Sequence, residues 1–184
     1  MPRLPRLPRA LRWLLVFLTL LFAGGVVLRL VPRRPLSAGV PVSTAVYDKE
    51  RRLLRLTLAD DEQYRLWVPL ADISPLLIEA VLIHEDRHFY RHFAVNPVAL
   101  VRALWVTYFR RERRVGGSTI SMQVARMKYH LYSRSLSGKL GQIGRALWLE
   151  LRYSKAEILE AYLNLVPVGK NIQGVAAASF VYFG

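Results

Sequence analysis

A single glutamate, Glu85, stands in the kind of setting that acid–base chemistry requires. The apolar residues before it recur at helical spacing and Glu85 follows Val81 by one turn, so the sequence predicts a carboxylate at the edge of a hydrophobic core. Burial favours the neutral form of a carboxylic acid, and proteins use this effect to make a proton acceptor that works near neutral pH. The alternative is a glutamate at a helix end that pairs with Arg87 or Arg91. Glu85 is the first candidate catalytic residue.

The same stretch contains an apparent zinc motif. Residues 84–88 read H-E-x-x-H and His92 follows, so three imidazoles on one helical face would bind zinc as in a metalloprotease. The charged interior positions, Asp86 and Arg87, count against the buried helix that such a site needs. Motifs of this length also arise by chance. The stretch alone leaves both interpretations open.

The composition narrows the class of protein. The chain has 184 residues, enough for one domain and an appendage, and 27 Lys and Arg against 13 Asp and Glu give a formal charge of +14. Such an excess of positive charge favours binding to an anionic membrane surface, to nucleic acid or to a phosphorylated substrate. We find no basic platform interleaved with aromatic residues, which argues against nucleic acid. The chain has no cysteine, which excludes disulfides and thiolate chemistry.

The N-terminal segment predicts a membrane anchor. The uncharged run at residues 13–28 spans about 24 Å as a helix, and Arg12 and Arg29 extend it towards the bilayer core of about 30 Å. A cleaved signal peptide is the alternative, but the apolar run is long and no small-x-small site precedes Arg29. The arginines near the N-terminus favour an inside tail and a domain on the outer face of the membrane.

The rest of the chain predicts a small β element followed by helices. Runs of β-forming residues at 44–47, 52–58 and 64–68 predict a hairpin or a three-stranded element. The predicted division is a basic tail at 1–12, a transmembrane anchor at 13–30, a linker at 31–43, the β element at 44–70 and a helical domain at 71–184. We expect this domain to continue beyond Gly184.

Helix caps and apolar spacing place the predicted helices. Ser74 with Pro75 opens a helix that ends near Glu85, and S-x-x-E at Ser154 and Glu157 opens another over residues 155–164. Asn96 with Pro97 predicts a helix over residues 98–108, followed by a solvated basic run at 110–114. A further helix is predicted to bury the face formed by Leu136, Leu140, Ile143, Leu147 and Leu151, and a last one covers residues 172–183.

Residues 116–123, GGSTISMQ, predict a turn suited to an anion. The glycines allow close approach of a backbone, Ser118 and Thr119 supply hydroxyls, and a helix that begins there directs unpaired amides at the anion. No Gly-Lys-Ser/Thr follows, so the segment is not a Walker loop. An ordinary turn with a helix cap is the alternative.

Taken together, these segments resemble the peptidoglycan glycosyltransferase domain, glycosyltransferase family 51, of class A penicillin-binding proteins and monofunctional transglycosylases. The first motif of that family, E-D-x-x-F-x-x-H, matches residues 85–92, and the second, G-G-S-T-(I/L)-T-x-Q-x-x-K, matches residues 116–126. The fourth and fifth match residues 154–164 and 174–184. The resemblance runs from about Val42 to the end of the chain, covers the N-terminal portion of such a protein, and is nearest in wording to the 1C branch.

The resemblance implies a mainly α, lysozyme-like domain that polymerises lipid II into β-1,4 glycan strands with inversion at the anomeric carbon and release of lipid pyrophosphate. Glu85 would be the general base that deprotonates the acceptor 4-hydroxyl, Gln142 would hold the place of the second catalytic carboxylate, and Lys139 and Arg126 would contact the pyrophosphate. The other residues implied to bind substrate or shape the site are Asp86, Phe89, His92, Gly117, Ser118, Thr119 and Gln123. The implied location is the bacterial inner membrane, crossed once, with the domain on the periplasmic face and with cell-wall synthesis proteins as partners.

Several positions depart from the family pattern. Gln142 replaces the glutamate and Gly138 the arginine of the third motif, R-K-x-x-E, and Ala94 stands where glycine is usual. A neutral amide can bind pyrophosphate by hydrogen bonds but cannot ligate a divalent cation as a carboxylate does, so no cofactor is firmly predicted and dependence on Mg²⁺ or Mn²⁺ stays open. His84 and His88 fall at variable positions of the family, so the zinc interpretation loses its basis.

Two rival functions stay open. A non-catalytic, membrane-anchored relative would bind lipid II or act as a scaffold without turnover. A lysozyme-like glycosidase would use a glutamate as an acid and shorten the glycan instead of lengthening it.

Overall fold

The computed structural model describes residues 8–50, 52–98, 105, 117–132 and 135–183. The helix predicted over 98–108 and the basic run at 110–114 lie almost wholly outside these residues. The chain divides into two units, one ending at Arg33 and one beginning at Arg34, and each is described by itself.

The first unit is one long apolar helix, α1 (Arg9–Leu30), in which every residue is exposed or half-buried. Its 22 residues give a length of about 33 Å, which is enough to cross the hydrocarbon core of a bilayer. The helix begins before Trp13, where the anchor was predicted to start, and therefore includes Arg9 and Arg12 of the predicted basic tail.

The strands of the second unit form two small sheets. β1 (Ala45–Tyr47) and β2 (Leu53–Leu56) form an antiparallel hairpin, and the Asp48 carboxylate accepts a hydrogen bond from the amide of Arg52 in its turn. The third predicted strand, β3 (Tyr64–Arg65), does not join this hairpin. It pairs in parallel with β5 (Ile172–Gln173), which in turn pairs antiparallel with β4 (Pro167–Gly169). Local alternation predicts strands, but it carries no information about a partner so distant in sequence.

Five α-helices whose bounds both lie among the described residues follow in the second unit, with two short 3-10 helices at Leu70–Asp72 and Phe89–Arg91. The α-helices are α2 (Pro75–Asp86), α3 (Ile120–Lys128), α4 (Leu136–Arg152), α5 (Lys155–Leu165) and α6 (Val175–Phe183). The predicted capping box is confirmed, because the Ser154 hydroxyl accepts from the Glu157 amide and the Glu157 carboxylate accepts from the Ser154 amide. Ser74 stands at the predicted N-cap of α2 and is followed by Pro75, but its side chain makes no capping hydrogen bond.

The hydrophobic core lies mainly between α3 and α5. Its fully buried side chains include Ile120, Met122, Val124, Ile158, Leu159 and Leu163. α4 packs on this core through Ala146 and Leu149, whereas Leu140 is 61% exposed and Leu147 is 38% exposed. The prediction that α4 buries its leucine face was therefore wrong in part. The small Ala146 lets α4 approach its neighbours closely, and the leucine spacing alone did not reveal which face does so.

The segment that leads into α2 is held by α5. Asn164, which is fully buried, accepts from the Val68 amide at 2.9 Å and donates to the Val68 carbonyl at 2.8 Å. Glu160 accepts from the Trp67 indole at 3.1 Å and from the Leu70 amide at 2.9 Å. These bonds fix the start of α2, and so the position of Glu85 in its last turn, relative to the core.

Candidate active site

Glu85 is half-buried in the last turn of α2, with 31% of its side chain exposed. The Gln123 amide, carried by α3, donates to Glu85 Oε2 at 2.7 Å. The exposed imidazole of His84 lies 3.8 Å from the other carboxylate oxygen. The structure thus brings the first predicted site residue together with Gln123 while leaving it open to solvent.

Tyr162 is a second partner of Glu85 that the sequence analysis did not single out. It lies on α5, is 3% exposed, and its hydroxyl is near enough to the Glu85 carboxylate to interact with it by charge and as a hydrogen-bond donor. Burial raises the pKa of Tyr162 well above its usual value, the charge of Glu85 and this hydrogen bond raise it further, and Arg126 opposes the shift. The hydroxyl therefore stays protonated as a donor at neutral pH. Its place in the fourth motif was the only sequence signal.

Two cavities meet at Glu85. One of about 360 Å³ has polar walls that include His88, Asn96, Gly117, Ser118 and Thr119. The other, of about 330 Å³, is mainly apolar and is lined by residues such as Val81, Tyr162, Val166 and Val168. His84 and Glu85 line both cavities, so the carboxylate can reach groups bound on either side.

A larger cavity of about 560 Å³ lies beside these two and does not include Glu85. It contains Arg126 and Lys128, and also Arg65, whose guanidinium is already paired with Asp61 at 2.9 Å and with Gln173 at 3.0 Å. We place the chemistry at the smaller cavities, because the Glu85 carboxylate lines both of them and does not line the larger one.

Four of the residues predicted to shape the site are buried and bonded within the protein. The Asp86 carboxylate lies 2.8 Å from His92 Nε2 and accepts from the Ile120 amide at 3.2 Å, which joins the end of α2 to the start of α3. Thr119 caps α3 by accepting from the Met122 amide at 3.3 Å. Phe89 is 1% exposed, and the Lys155 ammonium lies 4.3 Å from its ring centre. Phe89 and His92 therefore support the site from behind, whereas Asp86 and Thr119 also line its polar cavity.

Ala94 explains one departure from the family pattern. Its φ of 54° lies in the left-handed region that favours glycine, and its carbonyl accepts a hydrogen bond from the Thr119 hydroxyl. The chain therefore keeps the backbone conformation that a glycine would adopt freely.

A polar chain links Ser118 to the interior. The Lys139 ammonium donates to Ser118 Oγ at 2.6 Å and to Gln142 Oε1 at 3.0 Å. The Gln142 amide nitrogen donates to the Met122 carbonyl at 2.7 Å, and Gln142 is only 1% exposed. Burial lowers the pKa of Lys139, and the charge of exposed Arg126 lowers it further. Lys139 thus reaches the wall of the polar cavity at Ser118, Arg126 lines the larger cavity, and Gln142 lies behind Lys139.

The side chains that the structure describes around Glu85 do not fit a resident metal ion. Within the described ranges, no group of three or more His, Cys, Asp or Glu side chains comes together. α2 ends at Asp86, so His88 and His92 lie beyond the helix and the imidazoles of the H-E-x-x-H pattern do not share one face. At the position of the third-motif carboxylate, the oxygen of Gln142 is occupied by the Lys139 ammonium.

A model of the transglycosylase family matches residues 50–184, which contain every residue of this site. The chain belongs to the transglycosylase family. Penicillin-binding protein 1C of Escherichia coli (strain K12) is 40% identical over 150 residues, which are 82% of this chain and 19% of that protein. Penicillin-binding protein 1A of the same organism is 39% identical over 123 residues, which are 67% of this chain and 14% of that protein. Penicillin-binding protein 1A of Aquifex aeolicus (strain VF5) is 37% identical over 144 residues, which are 78% of this chain and 19% of that protein.

These matches confirm the predicted resemblance to the transglycosylase domain of class A penicillin-binding proteins. The matched part of the chain spans between 14% and 19% of the length of these relatives. The transglycosylase family match begins at residue 50, after α1 and β1, so it concerns the second unit alone.

Proposed function

We propose that this chain is a peptidoglycan glycosyltransferase that polymerises lipid II into β-1,4 glycan strands. The observation that carries the proposal is the Glu85 carboxylate at the meeting point of two cavities, in a chain of the transglycosylase family. One cavity would take the acceptor sugar and the other the donor, so that the acceptor hydroxyl and the donor anomeric carbon meet beside the carboxylate.

The proposed step is a single displacement with inversion. Glu85 removes the proton of the acceptor 4-hydroxyl as that oxygen attacks the anomeric carbon of the donor, and the bond from that carbon to the lipid pyrophosphate breaks. The leaving pyrophosphate takes the bonding electron pair. Gln123 and Tyr162 hold the carboxylate in place from two sides. In this proposal Lys139 and Arg126 stabilise the charge that develops on the leaving group.

The proposed setting is the outer face of a bacterial cytoplasmic membrane. α1 is long and apolar enough to act as a single-pass anchor, and lipid II is itself a membrane-bound substrate. We propose that the helical unit has a lysozyme-like arrangement, that the β element belongs next to the membrane, and that the partners are the growing glycan strand and other cell-wall synthesis proteins.

The test is polymerisation of labelled lipid II in detergent by the chain and its Glu85→Gln variant, each with and without EDTA. We expect polymer from the parent and none from Glu85→Gln. Glu79→Gln is the matched control, because Glu79 is an exposed glutamate on the same helix and its substitution should leave polymerisation unchanged. Equal polymerisation by the parent and Glu85→Gln would refute the role of Glu85.

One observation favours a second candidate, a non-catalytic relative that binds lipid II or acts as a scaffold. The second carboxylate of the family pattern is absent, because position 142 is a buried glutamine. Lipid II binding without polymer formation, by a chain whose fold is intact, would support this candidate. Shortening of preformed glycan would instead support the glycosidase alternative.

A further inference from the structure

Gln142 has hydrogen-bonding neighbours of opposite kinds at the two ends of its amide. Its nitrogen donates to the Met122 carbonyl at 2.7 Å, and its oxygen accepts from the Lys139 ammonium at 3.0 Å. With 1% of the residue exposed, no lone pair or N–H of this side chain is available to a ligand in the cavities. A neutral amide suits both neighbours, because its N–H donates to the carbonyl and its oxygen accepts from the ammonium.

A carboxylate would fit this position badly. One of its oxygens would face the Met122 carbonyl, which would remove the hydrogen bond from Gln142 and place two acceptors against each other. Its other oxygen would form a buried ion pair with Lys139 and compensate the charge of the ammonium. The Met122 carbonyl and the Lys139 ammonium therefore suit a glutamine at position 142. The replacement of the family's glutamate by glutamine is matched by the groups that surround it.

The consequence concerns the charge that faces a substrate. Lys139 reaches Ser118, which lines the polar cavity beside Glu85, and Arg126 lies close enough to Lys139 to repel it. Among the residues that the structure describes, neither cation has a carboxylate within 4 Å. Two cations that repel each other and lack a counterion gain most from an anion with two negative phosphoryl groups.

We propose that Gln142 is a positioning residue that fixes the Lys139 ammonium against Ser118 as an uncompensated cation, so that this site binds a diphosphate directly and without a divalent cation. The proposal rests on the proposed function, in which the leaving group is a lipid pyrophosphate. It assigns residue 142 a role through Lys139 and not a contact with the reacting atoms.

The test measures binding of inorganic pyrophosphate and farnesyl diphosphate to the chain by titration calorimetry, in EDTA and in Mg²⁺. We expect the parent to bind equally well in both buffers, and Gln142→Glu to bind at least about tenfold more weakly, because a charge is added a few ångströms from the bound anion. Gln63→Glu, which adds the same charge at a half-buried position that does not line the polar cavity, should bind like the parent. Binding that disappears in EDTA, or Gln142→Glu that binds as well as the parent, would overturn the proposal.

Gln142→Met is a second variant, used in case Gln142→Glu does not fold. It keeps the size of the side chain, adds no charge and removes both hydrogen bonds. We expect it to weaken diphosphate binding several-fold, less than Gln142→Glu does. The diphosphate binding that remains in Gln142→Glu should be lost only at a higher pH than in the parent, because the added carboxylate favours the protonated form of Lys139. We call the pH at which binding is lost its alkaline limit. An unmoved limit in a folded Gln142→Glu protein would contradict the proposal.

These outcomes separate the inference from the proposed function. Diphosphate binding that depends on residue 142, in a chain that never polymerises lipid II, would leave the inference standing and remove the glycosyltransferase. If the chain polymerises lipid II but its diphosphate binding does not depend on residue 142, the glycosyltransferase proposal stands and the inference fails.

Discussion

Replacing Tyr162 with phenylalanine removes a hydroxyl that acts as a donor to the Glu85 carboxylate. The phenyl ring fills the same buried space, so the change isolates the hydroxyl. A hydrogen bond to a charged group contributes about 1.5–3 kcal/mol. Because 31% of the Glu85 side chain is exposed, water can replace part of the lost bond, and the lower end of that range applies. A loss of about 1.5 kcal/mol in transition-state stabilisation corresponds to a rate about tenfold lower.

The assay is the initial rate of lipid II polymerisation as a function of substrate concentration. We expect Tyr162→Phe to lower kcat about tenfold and to change KM little, because the hydroxyl positions the base and contacts Glu85 within the protein. Thermal unfolding should show that the variant is folded. The matched control is Tyr153→Phe, which removes a hydroxyl that donates to the Arg34 carbonyl at 2.8 Å, away from Glu85, and should leave kcat unchanged.

A double-mutant cycle with Gln123→Met tests the reasoning directly. Gln123 and Tyr162 hold the same carboxylate, so the two substitutions should not be additive. A kcat for Tyr162→Phe within twofold of the parent would refute the positioning role of the hydroxyl. Additive effects of the two substitutions would refute the idea that they act through Glu85.

Three further predictions concern stability and pH. Asn164→Ala should lower the free energy of unfolding by about 3 kcal/mol in urea titrations, because it removes both hydrogen bonds to Val68. Burial, and then the charge of Arg126, lowers the pKa of Lys139, so diphosphate binding should persist to higher pH in Arg126→Gln, measured relative to the maximum for each protein. Burial raises the pKa of Asp61, but its hydrogen bond to a guanidinium and the charge of that group outweigh the effect and hold the pKa below its usual value. The stability that Asp61 contributes is therefore present above about pH 4 and lost as the pH falls further, so Asp61→Asn should be less stable than the parent at pH 7 and equal to it in strong acid.

Each of these predictions has an outcome that contradicts it. Asn164→Ala with an unchanged urea midpoint would show that the Val68 bonds contribute nothing net. An alkaline limit that moves down or stays fixed in Arg126→Gln would show that Arg126 does not perturb Lys139. A stability difference between Asp61→Asn and the parent that grows towards low pH would reverse the sign expected for a carboxyl group with a lowered pKa.

Local signals in the sequence predicted much of the helical framework. The capping box at Ser154 and Glu157, and proline after Ser74, placed the starts of α5 and α2 correctly, because caps depend on residues within one turn. The buried face of α4 was not predictable in the same way. Its leucines have helical spacing, but the face that packs is the one whose small Ala146 meets its neighbours, and that depends on what lies opposite.

The residues of the candidate site were likewise predicted only in part from the sequence. The family motifs brought Glu85, Gln123, Ser118 and Lys139 into one list. In the structure Glu85 and Ser118 line the same cavity, and Gln123 and Lys139 donate hydrogen bonds to them. The sequence analysis did not single out Tyr162, because a tyrosine in a helix that is apolar on its packed side is indistinguishable from a core residue until its hydroxyl has a partner.

The sequence by itself determined that a carboxylate follows an apolar stripe, that cations and a Gly-Gly-Ser-Thr turn accompany it, and that position 142 holds an amide in place of an acid. Only the tertiary structure decided what these groups do to one another. Gln123 lies 38 residues after Glu85 and Met122 lies 20 residues before Gln142, and each contact exists because α4 packs against α3 and the last turn of α2 meets the start of α3. Whether such distant residues form a hydrogen bond depends on differences of a few tenths of an ångström in the separation of donor and acceptor. The packing of the helices sets that separation, and the order of the residues in the sequence does not.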